Sequence, residues 1–236
     1  MGCEVVAVNE NTWRIENEGV RFFLLTGREK ALLIDTGMTA PEARKIAEGL
    51  TDLPLFLLNT HADRDHISGN GAFSTLYMHP AEEEHYRAAG GAGTVVPIRD
   101  GDELDLGDRP LRIIHLPGHT PGSVAVLDVK HRVLISGDPI QEDGRIFMFG
   151  AHRNMGDYIE SLVRLKGRTG EFDQIWPSHA TIPVSPARIG DLIEGAGKVL
   201  SGEIEGRPAQ LFGQDILVCD LGFTVLLGGP TDKQND

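Results

Sequence analysis

Short apolar runs, broken by polar or glycine-containing turns, open the chain and predict strands at 4–8, 13–16, 20–26 and 30–35. The pattern then changes. Residues 41–50 predict a short helix with Pro41 in its first turn. Residues 55–58, an unbroken apolar run, predict a buried strand. A strand at 75–78 is followed by a helix at 80–89 that starts with Glu82, Glu83 and Glu84, as the helix dipole favours. A second strand-rich block predicts strands at 103–106, 111–116, 123–129 and 132–136. Residues 137–154 read as a loop holding Phe147, Met148 and Phe149. Met155, Tyr158, Ile159, Leu162 and Val163 recur at helical spacing and predict a helix over 155–166. A strand at 174–177 comes next. Ser185 and Pro186 then suit the cap and first position of a helix reaching Ser201 on the stripe Ile189, Leu192, Ile193, Ala196, Val199, Leu200. Segments 216–219 and 223–227 predict a closing hairpin.

Strands then helix, twice over, predict a single domain over 1–236: two sheet-plus-helix halves with sheets stacked and helices outside. Hydrophobic residues at 40% and charged residues at 24% are those of an ordinary globular protein. A net charge of -13 with no basic patch argues against a nucleic-acid backbone as partner. No apolar run reaches the length of a membrane span. The start Met1-Gly2-Cys3-Glu4-Val5 lacks the features of a signal peptide, and Val6 stands where a myristoylation signal needs Ser or Thr. Cys3 and Cys219 are too few for a disulfide framework and read as thiols in a reducing compartment. The expectation is a cytoplasmic enzyme with a small-molecule substrate and no nucleic-acid or membrane partner, a homodimer being left open.

One segment stands out. Directly after the run 53–58 comes Asn59-Thr60-His61-Ala62-Asp63-Arg64-Asp65-His66, with four metal-competent side chains within six positions. Residues two apart in extended chain point the same way, so His61 and Asp63 can converge on one ion. Asp65 and His66, from the following turn, can reach a second. Three weaker signals follow, each just past a predicted strand: His119 in Pro117-Gly118-His119-Thr120-Pro121-Gly122, Asp138 in Ser136-Gly137-Asp138, and His179 in Trp176-Pro177-Ser178-His179. Each alone reads as a turn; together they are a ligand set.

This succession resembles the metallo-β-lactamase-fold superfamily, over nearly the whole chain. The resemblance implies an α/β fold: a four-layer αββα sandwich of two mixed sheets with outer helices and a metal site at the sheet edge. It implies His61 and His119 as ligands of a first metal, Asp65, His66 and His179 of a second, and Asp138 as the bridging carboxylate. Asp35, in Leu33-Ile34-Asp35-Thr36-Gly37, resembles a buried Asp that orients the ligands from behind. One position departs: the family's usual His-x-His-x-Asp-His has Asp63 for its second His. A third carboxylate takes a two-metal centre with hydroxide from a net charge of about +1 to neutral, which weakens it as a Lewis acid and suits harder ions.

The function expected is a metal-dependent hydrolase, with a metal-bridging hydroxide, oriented by Asp65, attacking a small ester, thioester, lactone or related amide. Two divalent ions are implied, zinc first, with iron or manganese as alternatives. The alternative is a diiron redox enzyme of flavodiiron type acting on oxygen or nitric oxide, with a separate electron donor. A glyoxalase II reading is disfavoured by the short stretch after His179. Phe147, Met148, Phe149, His152 and Arg153 are candidate substrate contacts. His79, His85 and His131 read as surface or strand-end residues, and His115 as a cleft neighbour without a ligand role.

Overall fold

The computed structural model describes residues 2–229. Strands of the first half lie in chain order in one seven-stranded sheet. β1 (Glu4–Asn9), β2 (Thr12–Asn17), β3 (Val20–Thr26) and β4 (Ala31–Ile34) form an antiparallel meander. β5 (Leu55–Leu58), β6 (Thr75–Met78) and β7 (Thr94–Pro97) add in parallel. Parallel neighbours need crossovers. α1 (Ala43–Glu48), the single turn α2 (Arg64–Ile67) and α3 (Glu83–Ala88) supply them. β3 and β4 are buried at every position, as central strands covered on both faces must be.

The second sheet has the order β13-β11-β10-β9-β8. β8 (Glu103–Asp105), β9 (Pro110–His115), β10 (Val124–Asp128) and β11 (Val133–Gly137) are antiparallel. The chain then makes β12 (Arg145–Met148) and α4 (Met155–Lys166) before β13 (Gln174–Pro177) docks parallel to β11. α5 (Arg188–Ser201) is followed by β14 (Arg207–Leu211), β15 (Gln214–Asp220) and β16 (Val225–Gly228).

Three apolar clusters set the layers. Phe23, Leu25, Leu32 and Ile34 of the first sheet meet Leu111, Ile113, Val124 and Val126 of the second in an inner core. The outer face of the first sheet, through Leu24 and Leu33, packs on Ala43, Ala47 and Tyr86 of its helices. The outer face of the second, through Ile114, Ala125 and Leu134, packs on Tyr158, Leu162, Ile189 and Leu192 of α4 and α5. This is the αββα sandwich. Arg109 and Asp128 clamp the two sheets: Nη2 of Arg109 reaches both Asp128 Oδ2 (2.6 Å) and Thr12 Oγ1 (2.8 Å).

Several expectations need correction. Residues 137–154 are not all loop, because Arg145–Met148 is a strand paired in parallel with β16. With β14 and β15 it makes a third, four-stranded sheet in the order β12-β16-β15-β14, so the two-sheet frame carries an addition. Met148 turns into the outer core, whereas Phe147, one residue earlier on the opposite face, does not. The last helix begins at Arg188 rather than at Pro186, since Ser185 O and Pro186 O accept from Arg188 N and Ile189 N in tighter turns. β7 and β14 had no sequence signal: β7 is four residues long, and β14 is half exposed and contains Pro208.

Candidate metal centre

β9 and β11 flank β10 antiparallel, so they share a direction, and β13 is parallel to β11. Their carboxyl ends therefore lie on one edge of the second sheet. His119 follows β9, Asp138 follows β11 and His179 follows β13. On the first sheet, Asp35 follows β4 and His61–His66 follows β5. Thr60 O accepts from Val124 N (2.9 Å) and Ser178 O from Arg21 N (2.8 Å), joining the two edges.

The side chains gather into two groups: His61, Asp63 and His119, and Asp65, His66, Asp138 and His179. In the first, Asp63 Oδ2 lies 3.5 Å from His61 Nε2 and 3.3 Å from His119 Nε2. In the second, Asp138 Oδ1 lies 3.2 Å from His66 Nε2 and 3.3 Å from His179 Nε2. Asp65 Oδ2 is 3.2 Å from His179 Nε2. The other Asp138 oxygen, Oδ2, faces His119 Nε2 (3.6 Å) and His61 Nε2 (3.9 Å). One carboxylate thus addresses both groups. Ligand atoms about 2.1 Å from a tetrahedral ion stand roughly 3.4 Å apart, which is the spacing seen here.

The histidines are held from behind. His66 Nδ1 meets Asp35 Oδ2 (2.9 Å), His119 Nδ1 meets Phe147 O (2.9 Å) and His179 Nδ1 meets Gly19 O (2.9 Å). His61 Nδ1 meets Thr60 Oγ1 (3.0 Å), whose own proton goes to Asp35 Oδ2 (2.7 Å). These acceptors assign the proton to Nδ1 and aim the Nε2 lone pair inward. Nε2 of His61, His66 and His119 and Oδ1 of Asp138 are buried without a hydrogen-bond partner. Lone pairs facing one another in a buried cluster need a cation between them. The donor set of imidazoles and carboxylates fits divalent ions. Asp35 adopts φ +66, a left-handed conformation uncommon outside glycine, and four hydrogen bonds to its carboxylate over-determine it.

Charge in the cluster is strongly coupled. Burial opposes a charge on His66, but the Asp138, Asp65 and Asp35 carboxylates outweigh it and hold the imidazole well above its usual pKa. Burial likewise opposes charge on His179, yet Asp138 and Asp65 push it up to about 10. Against burial, His179 and His66 keep Asp138 well below the carboxylate range. His119 moves the other way, lowered by burial and then by the Arg153 guanidinium. The cluster calls for positive charge, which protons supply in part and divalent ions would supply better.

Asp63 is gripped from outside the centre. Its Oδ1 accepts from His85 Nε2 (2.9 Å), and its Oδ2 accepts from Arg153. The neighbouring His119, His61 and His85 imidazoles outweigh burial and hold its carboxyl well below the usual range. His85, read from sequence as a surface residue, is therefore part of the site. Its ring also lies 4.9 Å from that of His152, which stands at φ +75. Glu82 was missed altogether. Fully buried, it accepts from Ala62 N (2.9 Å) and Gly122 N (2.7 Å), tying the His61–His66 segment to the His119 loop. The one sequence signal for both is their place, Glu82 at the start of α3 and His85 on it, after the strand next to β5. His79 and His115 stack on each other at 4.1 Å, and His131 pairs with Asp128 (2.9 Å), so all three serve structure.

Residues 17–172 match the profile of the metallo-beta-lactamase superfamily. The chain belongs to that superfamily. It is 26% identical over 219 residues to the acyl-coenzyme A thioesterase MBLAC2 of Gallus gallus, covering 76% of this chain and 78% of that protein. It is 34% identical over 144 residues to a hydroxyacylglutathione hydrolase of Gloeobacter violaceus, covering 58% of this chain and 55% of the relative. The metallo-beta-lactamase from Pontibacter korlensis superposes with a TM-score of 0.71 at 17% identity, over 82% of this chain and 99% of that one, a likeness of fold. This superfamily member is a metal-dependent hydrolase. No helix among the described residues is long and apolar enough to cross a membrane.

Proposed function

We propose that this metal-dependent hydrolase cleaves a small thioester at a dinuclear centre. The observation that carries the dinuclear reading is Asp138, whose two oxygens address two separate ligand groups. His61, Asp63 and His119 would hold one ion, and Asp65, His66 and His179 the other. Two divalent ions there, zinc first, would activate water at neutral pH and polarise the substrate carbonyl. The chain's own residues do the positioning. Asp35 and Thr60 fix the ring planes of His66 and His61. Asp65 would accept a proton from an attacking water, a role supported by its being the more exposed of the two carboxylates in its group.

The thioester assignment draws on both relatives, one a thioesterase by name, the other a hydrolase of a glutathione conjugate. Chemistry agrees. A thiol of pKa about 8.5 leaves as the thiolate, so the leaving atom needs no dedicated acid. The redox alternative rested on the extra charge of Asp63, and the Arg153 guanidinium offsets that charge. Cys3 is a free thiol, which fits a cytoplasmic location. The test is release of free thiol from acetyl and longer acyl thioesters by protein of known metal content. Turnover that disappears on chelation and returns with zinc supports the reading. A fully zinc-loaded protein that releases no thiol ends it.

A further inference from the structure

Phe212 is 81% exposed, more than any other large apolar residue among those described. It sits with Gly213 in the two-residue turn between β14 and β15, where Leu211 pairs with Gln214. Both turn residues have positive φ, +52 at Phe212 and +75 at Gly213. Such a hairpin turn prefers Asn or Asp followed by Gly, and a bulky side chain in its first position is strained. The ring is thus kept against both solvation and backbone preference.

Its neighbours show what it is near. Phe212 stacks over Phe147 with centroids 6.5 Å apart and planes within 17°. Phe147 in turn lies 5.7 Å from Phe149. Phe147 is also the residue whose carbonyl holds His119 Nδ1. Five residues past Phe149 the same segment delivers Asn154 N to Gly118 O (2.8 Å), and in between Arg153 reaches Asp63. The segment that carries Phe147 and Phe149 therefore borders the first ligand group, and Phe147 lies on the face of β12 opposite Met148 and the outer core.

We propose that Phe147, Phe149 and Phe212 form the subsite for an aliphatic acyl chain of the thioester; the inference rests on the thioester reading above. Three rings offer a few hundred Å² at most, enough for a chain of several methylenes. A stable dimer needs about 800 Å² on each partner, which this patch alone does not reach. Contact with one face of an alkyl chain gives roughly half of full burial, or about a twofold gain per methylene.

The experiment compares kcat/KM for octanoyl and acetyl thioesters of N-acetylcysteamine in the wild type and in Phe212→Ser. Phe212 is a surface turn residue, so the variant keeps its fold. The octanoyl-to-acetyl ratio should exceed about tenfold in the wild type and fall at least about fivefold in the variant. Equal ratios in both proteins overturn the subsite. Calorimetric binding of octanoate against acetate separates the two readings. If no thioester is cleaved, but octanoate binds more tightly than acetate and loses that preference in Phe212→Ser, the subsite stands and the thioester reading falls. If octanoate shows no preference that depends on Phe212, the subsite falls. Sedimentation that shows a dimer lost in Phe212→Ser, with the ratio unchanged, assigns the ring to a second copy and also overturns it.

Discussion

Glu82 carries the sharpest test of how the centre is assembled. It lies on no predicted ligand list, yet its two oxygens hold Ala62 N and Gly122 N, one from each ligand-bearing loop. In Glu82→Gln the amide oxygen retains one bond, and the NH2 group confronts the other N–H. A weakened charge-assisted bond and one unsatisfied buried donor together cost about 2–4 kcal/mol. In Glu82→Ala both donors are left bare, for about 3–6 kcal/mol, against a total stability of about 5–15 kcal/mol. At about 2–4 °C per kcal/mol for a chain of this size, the Gln variant should melt roughly 4–16 °C lower when stripped of metal. The loss should also be uneven. His61 and His119 come from the two loops that Glu82 ties together, whereas Asp65, His66, Asp138 and His179 do not depend on that tie alone. Metal content after dialysis at limiting zinc should therefore fall from about two to about one per chain. Thermal unfolding of the stripped protein and elemental analysis read the two effects, with the exposed neighbour variant Glu83→Gln as control. A melting point within about 2 °C of the wild type, together with unchanged zinc content, would refute the reasoning.

Other consequences are equally concrete. A Cβ on Gly118, at φ +130, would lie 2.3 Å from the Tyr158 backbone, so Gly118→Ala should displace His119 and lower stability by about 3 kcal/mol or more; an unchanged urea midpoint contradicts this. Asp138→Ala should abolish thiol release and leave at most one zinc per chain, and retained turnover removes Asp138 from the centre. Asp63→His should raise zinc occupancy of the first position, more so in combination with Arg153→Met, because the guanidinium then lacks its carboxylate; occupancy equal to wild type in both places Asp63 outside the ligand set. His66 and His179 have raised pKa values, so below those values each holds a proton that a metal ion must displace. Zinc affinity should therefore rise as pH rises through the neutral range, with proton release on binding; pH-stat titration showing no release contradicts the geometry.

Much of the centre was legible because each ligand directly follows an apolar run. Leu55–Leu58, Leu111–Leu116 and Val133–Ser136 announced strands, and a strand's carboxyl end is where loops can carry chemistry. Asp35 was legible only through the resemblance to the superfamily. Glu82 and His85 were not, because their roles come from α3 packing across two loops far apart in sequence, and an acidic helix start is explained locally by the helix dipole. The same limit hid β12. Arg145–Met148 reads as loop until β16, eighty residues later, lies beside it. Its Phe147 was grouped with Met148 and Phe149, but strand alternation sends Met148 to the core and leaves the other two outside.

The third sheet divides the molecule into separable territories. β14, β15 and β16 come after the final ligand, His179, and lie beyond the 17–172 stretch that matches the superfamily. They pair with the rest through β12, the strand whose Phe147 carbonyl steadies His119, and Cys219 and Leu226 pack into the outer core. A graft of a different closing hairpin onto β12 would thus redraw the wall beside the centre without altering a single ligand. On the proposed reading, the reactive machinery and the choice of what it acts on are carried by different stretches of chain, joined by the β12–β16 pairing and by the apolar core they share.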